Sequence, residues 1–199
     1  MTQGRRAEHT REELSELILS EGGRLLEDDG YGKFSARKLA ARIGYSVAMV
    51  LHVMGSTDHI VMSINSRTFM AWADQLEAAL DGRTEGRLDA LVKSYFDFAA
   101  AHPKLWMAIY EHRLPAGMVI PPDQDAMRGR LTGIVVSEVR TILPDSDKDR
   151  APRIARSLIA TVHGHCHMWI CKSMEIMGEH AVLEMAIERV NDTVKSICD

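Results

Sequence analysis

The sequence predicts an all-α protein: an N-terminal three-helix helix-turn-helix head followed by a helical body, about nine helices in all across 199 residues. Apolar residues recur at intervals of three and four along almost every segment, the period of a helix buried on one side, and no segment alternates as a half-buried strand would. Residues suited to helix starts, Thr10, Ser35, Ser46 and Ser56, each stand just ahead of such a segment. Glycine and proline breaks at Gly30, Gly44, Gly82, Pro103 and Gly178 separate the segments.

Thr10 and Glu13 form a capping-box pattern that opens the first helix, with Leu14, Leu17, Ile18, Leu25 and Leu26 facing inward up to the Asp28-Asp29-Gly30 break. Ser35 caps the second, in which Leu39 and Ile43 share a face and Ala40 sits where two helices cross. A larger side chain there would hold the helices apart. Gly44 then supplies the freedom a sharp turn needs, and Ser46 caps the third helix. Ser56-Thr57-Asp58 starts a fourth helix reaching Leu80, with Ile60, Ile64, Phe69, Trp72, Leu76 and Leu80 apolar. Helix 56–80 reads as the connector between a head of residues 1–55 and a body of residues 56–199. Asp81-Gly82 ends it, Thr84 caps a fifth helix running to Ala101, and Pro103 opens a sixth, since proline is tolerated in a first turn. A loop over 114–122 precedes a seventh helix at about 123–143, an eighth at 149–177 and a ninth beyond Gly178.

Charge is distributed unevenly. Between Gly30 and Thr57 the only charged side chains are Lys33, Arg37, Lys38 and Arg42, whereas residues 12–29 hold seven acids against Arg24 alone. The motif whose second helix enters a DNA major groove therefore lies on a basic segment. Arg5, Arg6 and Arg11 form a second basic cluster, suited to phosphate or to a minor groove. The net charge of −4 conceals this asymmetry. Double-stranded DNA is the partner these features predict, against the plainer reading of a helical hairpin with a solvated basic face.

The N-terminus has no apolar run like a signal peptide, and no segment approaches the roughly 18 apolar residues of a membrane span, which predicts a cytoplasmic protein with no membrane partner. Three cysteines, Cys166, Cys171 and Cys198, are odd in number and late in the chain, against a disulfide framework. Leu183, Ile187, Val190, Val194 and Ile197 form a narrow apolar stripe, and Leu158, Val162, His165 and Trp169 a similar one. Paired across a twofold axis, these last two helices would make a homodimer matched to a palindromic site; the stripes would equally suit packing inside one subunit.

Ser35, Leu39-Ala40 and Gly44-Tyr45-Ser46, with Ser56 and Asp58 at the next helix start, resemble the tetracycline-repressor-like (TetR) family of bacterial transcription regulators. Tyr95, Phe98-Ala99, His102-Pro103, Trp106 and Val162-His163-Gly164 resemble the histidine-glycine (WHG) type of C-terminal domain found in some members. The resemblance implies a three-helix DNA reader joined to a ligand-binding and dimerisation domain, a regulator, in the usual case a repressor, released from its operator by a small-molecule effector. The sequence departs from the family where Leu51 replaces an aromatic, Val53-Met54 a histidine-phenylalanine pair, and Thr57 a lysine; the aromatic and the lysine commonly contact phosphate.

The segment Val47–Met54 holds no arginine or asparagine able to make a bidentate base contact. Ser46 and His52 are then the hydrogen-bonding candidates, Val47, Ala48 and Met49 the apolar ones, and Ser35, Tyr45 and Thr57 complete the expected surface. Arg5, Arg6, Arg37, Lys38 and Arg42 are the expected phosphate contacts. The competing reading is a helical ligand- or partner-binding dimer whose reading helix has lost its DNA role.

An effector pocket, implied by the resemblance, would draw its walls from Phe96, Trp106, Met107, Tyr110, Met118, His163, His167 and Met168, apolar positions with polar tips. His163, His167 and Cys171 recur every four residues and share a helix face; without a further ligand nearby, histidines bonded to a neighbour or ligand are the expectation, and no metal or cofactor is assigned. There is no glycine-rich phosphate loop or nucleophile elbow, and Glu175, which continues that face four residues on, reads as a solvated charge near a helix end, so no catalytic residue is predicted and an enzyme is the weaker reading.

Overall fold

Side-chain caps start the helices of the head where the sequence places them. In the computed structural model, which describes residues 9–198, Thr10 Oγ accepts from the Glu13 N–H at 3.2 Å while the Thr10 N–H donates to Glu13 at 2.8 Å. Ser35 accepts from the Lys38 N–H, Ser46 from Met49 and Ser56 from His59, at 3.2, 3.1 and 3.1 Å. Each cap satisfies one backbone donor that the first turn leaves open. Arg5 and Arg6 lie outside the described residues.

Among the described residues there are ten α-helices and no strand: α1 (Arg11–Asp29), α2 (Ala36–Ile43), α3 (Val47–Met54), α4 (Thr57–Leu80), α5 (Arg87–Ala101), α6 (Pro103–Glu111), α7 (Pro122–Ile142), α8 (Ala151–Ile170), α9 (Ser173–Ile176) and α10 (Val182–Cys198). No single helix is long and apolar enough to cross a membrane. Gly44 ends α2 in the left-handed region at φ 75°, which closes the tight turn into α3.

Two helix boundaries differ from the sequence expectation. Thr84 does not cap α5, which starts only at Arg87, after a turn closed by left-handed Gly82 and Gly86. The eighth helix stops at Ile170 rather than near 177. Lys172 is the one described non-glycine residue at positive φ, 59°, and the chain re-enters the short helix α9, which buries Met174 and leaves Ile176 and Met177 exposed. No glycine or proline marks that break, so pattern reading runs through it.

The chain packs as two compact units. The first comprises the residues up to Asn65 together with Lys104–Val119, and the second comprises Ser66–Pro103 and the residues from Ile120 on. This division does not fall at the expected head boundary, residue 55. In the first unit Ile18, Leu26, Leu39, Val50, Ile60 and Ile64 close around Ala108 of α6. Asn65 Nδ2 donates to the Ala108 carbonyl at 3.2 Å, and His112 Nε2 lies 3.1 Å from Asp58 Oδ1. The opening turns of α4 and the whole of α6 after Pro103 thus share the head's core.

The second unit is centred on Trp72, wholly buried, whose ring stacks on Phe98 at 5.0 Å and meets Tyr95 edge-on at 4.5 Å. Arg87 grips the buried Glu138 with two hydrogen bonds, 2.7 and 2.8 Å, and also donates to the Leu80 carbonyl at 3.1 Å, closing the exposed end of α4. Val182, Ala186 and Val190 of α10 are buried, as are Leu158 and Val162 of α8. Of the nine residues in the two apolar stripes expected to pair subunits, Leu158, Val162 and Val190 are therefore buried inside one unit.

Candidate nucleic-acid interface and ligand cavity

Val50 is fully buried and Leu51, Val53 and Met54 pack against the head core, which turns the opposite side of α3 outward. On that side Val47 is 37% and Met49 42% exposed, with Ala48 and His52 exposed between them. Ala48, Met49 and His52 lie within one helical turn, so they form a continuous outer strip. The reading helix is presented, not packed away. Ser46 is exposed at its start, and its oxygen is already engaged in capping.

The cations of α2 are placed differently from the expectation. Lys38 pairs with Asp29 at 2.8 Å, and Arg42 with Glu21 at 2.9 Å and Asp28 at 2.7 Å. Hydrogen bonding from Lys38 holds the Asp29 carboxyl below its ordinary range, and the bonds to Asp28 and Glu21 raise Arg42 further. The acidic support and the basic motif are thus in contact, and two of three α2 cations are directed at α1. Arg37 is exposed and pairs with no acid among the described residues. Ser35 is half-buried in its cap, Tyr45 Oη lies 2.7 Å from His9 Nδ1, and Thr57 is half-buried as the first residue of α4. The partners of Lys38 and Arg42 were readable in principle, because Glu21 and Asp28 are one α1 face seven residues apart.

The eight expected pocket residues divide between the two units. Trp106, Met107, Tyr110 and Met118 belong to the first unit, where the Trp106 and Tyr110 rings lie 5.1 Å apart. Phe96, His163, His167 and Met168 belong to the second. An apolar cavity of the second unit is lined by none of them. It lies among α4, α5, α7, α8 and α10, walled by Leu76, Leu91, Tyr95, Leu131, Leu158 and Val162 with their neighbours, and holds about 40 Å³. A dry cavity of ~150 Å³ accepts benzene, so this one accommodates only a few atoms before its walls must move. Aliphatic residues facing inward from five helices read as core in sequence; only their imperfect packing shows a cavity.

Tyr95 is the polar edge of this cavity, its hydroxyl 3.1 Å from His163 Nδ1. Burial, followed by the neighbouring His167, lowers the His163 pKa below its ordinary value. The unfolded chain therefore binds this proton first as pH falls, so His163 subtracts stability from about pH 6.5 downward until the folded form also protonates. Replacing His163 with Gln is expected to flatten the acid side of the stability–pH curve, as measured by denaturant midpoints between pH 5 and 8. Burial pushes the Cys166 thiol up to about 12, which leaves it unreactive. Cys171 lies past the end of α8, its Sγ 3.8 Å from His167 Nε2, and no three metal-binding side chains converge among the described residues.

A family model of tetracyclin repressor-like C-terminal domains matches residues 88–190. Comparison with curated proteins gives no match. Among solved structures, a protein of unknown function from Rhodococcus sp. RHA1 aligns with a TM-score of 0.73 and 20% identity, covering 98% of this chain and 100% of its own. A tetR-family transcriptional regulator from Streptomyces coelicolor aligns with a TM-score of 0.66 and 18% identity, covering 92% and 79%. The multidrug binding protein EbrR, complexed with imidazole, aligns with a TM-score of 0.63 and 16% identity, covering 94% and 96%. At these identities the structures establish the shared fold. With the C-terminal family model matched over more than half of its length and a capped helix-turn-helix ahead of it, the chain belongs to the TetR family of transcription regulators.

Proposed function

We propose that this chain is a homodimeric repressor that binds palindromic operator DNA through α2 and α3 and is released by a small-molecule effector held in its body. The observation that carries the reading is the outward face of α3, capped by Ser46, in a segment that holds an exposed Arg37 and no acid from Gly30 to Thr57. Dimerisation is assigned to α8 and α10. The uncovered side of α8 presents Ser157, Ala160 and Gly164, small residues that let a partner helix approach closely, and a Cβ at Gly164 would meet open space.

The cavity wall contains no charged side chain, so the effector is a neutral, mostly hydrocarbon molecule with at most one polar group for Tyr95. The likeness to a multidrug binding protein agrees with a body that receives such compounds. Because the cavity holds only about 40 Å³, an effector of more than a few atoms stabilises an opened arrangement of the body helices. If that arrangement sets a different spacing of the two readers, effector and operator antagonise one another reciprocally.

Gel-shift titration of the full chain against duplexes that include its own upstream region tests the reading. Affinity is expected to fall steeply with salt. Arg37→Ala is expected to weaken binding to all duplexes alike and to lower the salt slope by about one per head. The second reading, a dimer whose apolar α3 packs against a protein, is favoured by the exposure of Val47 and Met49. Absence of salt-dependent affinity for any duplex decides for it.

A further inference from the structure

We infer that α3 reads DNA through the C5-methyl groups of pyrimidines, thymine above all, with Ala48 and Met49 as the contact surface and His52 as its one base-directed hydrogen-bonding group. This rests on the DNA-binding reading above and specifies how that surface discriminates sequence. Three features of the head converge on it.

The outer strip of α3 is apolar by composition and open by geometry. Met49 is 42% exposed and Val47 37%, and Ala48 is exposed on the same side. No Arg, Lys, Asn or Gln occurs from Val47 to Met54, so the forked contacts that recognise guanine or adenine are not available to this helix. Two of the three cations of α2, Lys38 and Arg42, are held by Asp29, Glu21 and Asp28 and face α1. What remains opposite the base edges is hydrocarbon and one imidazole. In the major groove the only hydrocarbon feature of a normal base pair is the thymine methyl, and small or flexible apolar side chains are its usual partners.

DNA is favoured over a protein partner by charge. Between Gly30 and Thr57 there is no acidic side chain, Arg37 of α2 is exposed, and the free end of α3 adds the partial positive charge of a helix N-terminus. A polyanion tolerates that surface. Ala48 is small enough to let the α3 backbone approach the base pairs, and Met49 is flexible enough to fit the offset of a methyl from one step to the next.

The test takes duplexes selected by the full chain from a random library and replaces thymine by deoxyuridine one position at a time, which deletes the methyl and leaves the pairing intact. At contacted positions each replacement is expected to weaken binding about fourfold per half-site, the value of one buried methyl group. Met49→Ala is expected to remove that sensitivity at one position while retaining the fold, since Met49 lies outside the core; circular dichroism and melting check this. Exchange of adenine for 7-deazaadenine reports on His52 alone and is expected to act at a different position. If deoxyuridine changes nothing at any position while binding persists, methyl readout is overturned and the regulator reading stands. If the selection recovers no duplex, both fall, and the strip belongs to a protein contact.

Discussion

Trp72→Ala is expected to destabilise the second unit by about 3–5 kcal/mol, the range for deleting a large aromatic from a packed core. Trp72 is fully buried and lies between the Phe98 face and the Tyr95 edge, so truncation removes hydrophobic area and two ring contacts together. Its indole N–H has no acceptor among the described residues. Burying an unpaired donor costs about 1–3 kcal/mol, so Trp72→Phe recovers part of what the lost volume removes. Denaturant unfolding followed by circular dichroism is expected to rank wild type above Trp72→Phe and both above Trp72→Ala. A Trp72→Phe variant as unstable as the alanine would show that the full indole shape, and not its bulk, holds this core. Trp169, 38% exposed at the end of α8, provides the contrast; its alanine variant is expected to shift stability far less.

Leu39→Ala is expected to cost about 2–5 kcal/mol, borne by the head. Leu39 is fully buried on α2 among Ile18, Val50, Ile60 and Ile64, and its Cδ2 lies 3.5 Å from where a Cβ would stand on Gly22. The cavity left behind loosens α2 against α1 and α3, the geometry on which groove insertion depends. Operator affinity in gel-shift titrations is expected to fall at least tenfold, while the aromatic signal of the Trp72 cluster stays near wild type. Ala40→Leu attacks the same crossing by overfilling it, since Ala40 is 1% exposed, and is expected to be milder in stability yet similar in DNA binding. Loss of the body's aromatic signal in Leu39→Ala would mean that the two units fold as one.

Much of the head was legible in the chain. Thr10 with Glu13, Ser35, Ser46 and Ser56 cap the helices they precede, because capping is a local exchange between a side chain and a backbone donor three residues on. Gly44 likewise announces its turn. Leu39 and Ile60 declare themselves as core by period alone. The end of α8 was not legible, because Lys172 takes a left-handed backbone that its residue type does not signal. The cavity was not legible either. Leu76, Leu131 and Leu158 look identical in sequence whether they touch across a gap or leave one.

Local order along the chain determined the helix starts, the helix-turn-helix spacing and the apolar composition of α3, since each depends on residues within about one turn of one another. Tertiary structure alone decided three further matters: that Lys38 and Arg42 face acids of α1, that α6 shares a core with the head, and that Trp106 and His163 fall in different units. Each of these depends on contacts between residues distant in sequence, where distance and direction, not residue type or period, set which charge or ring meets which.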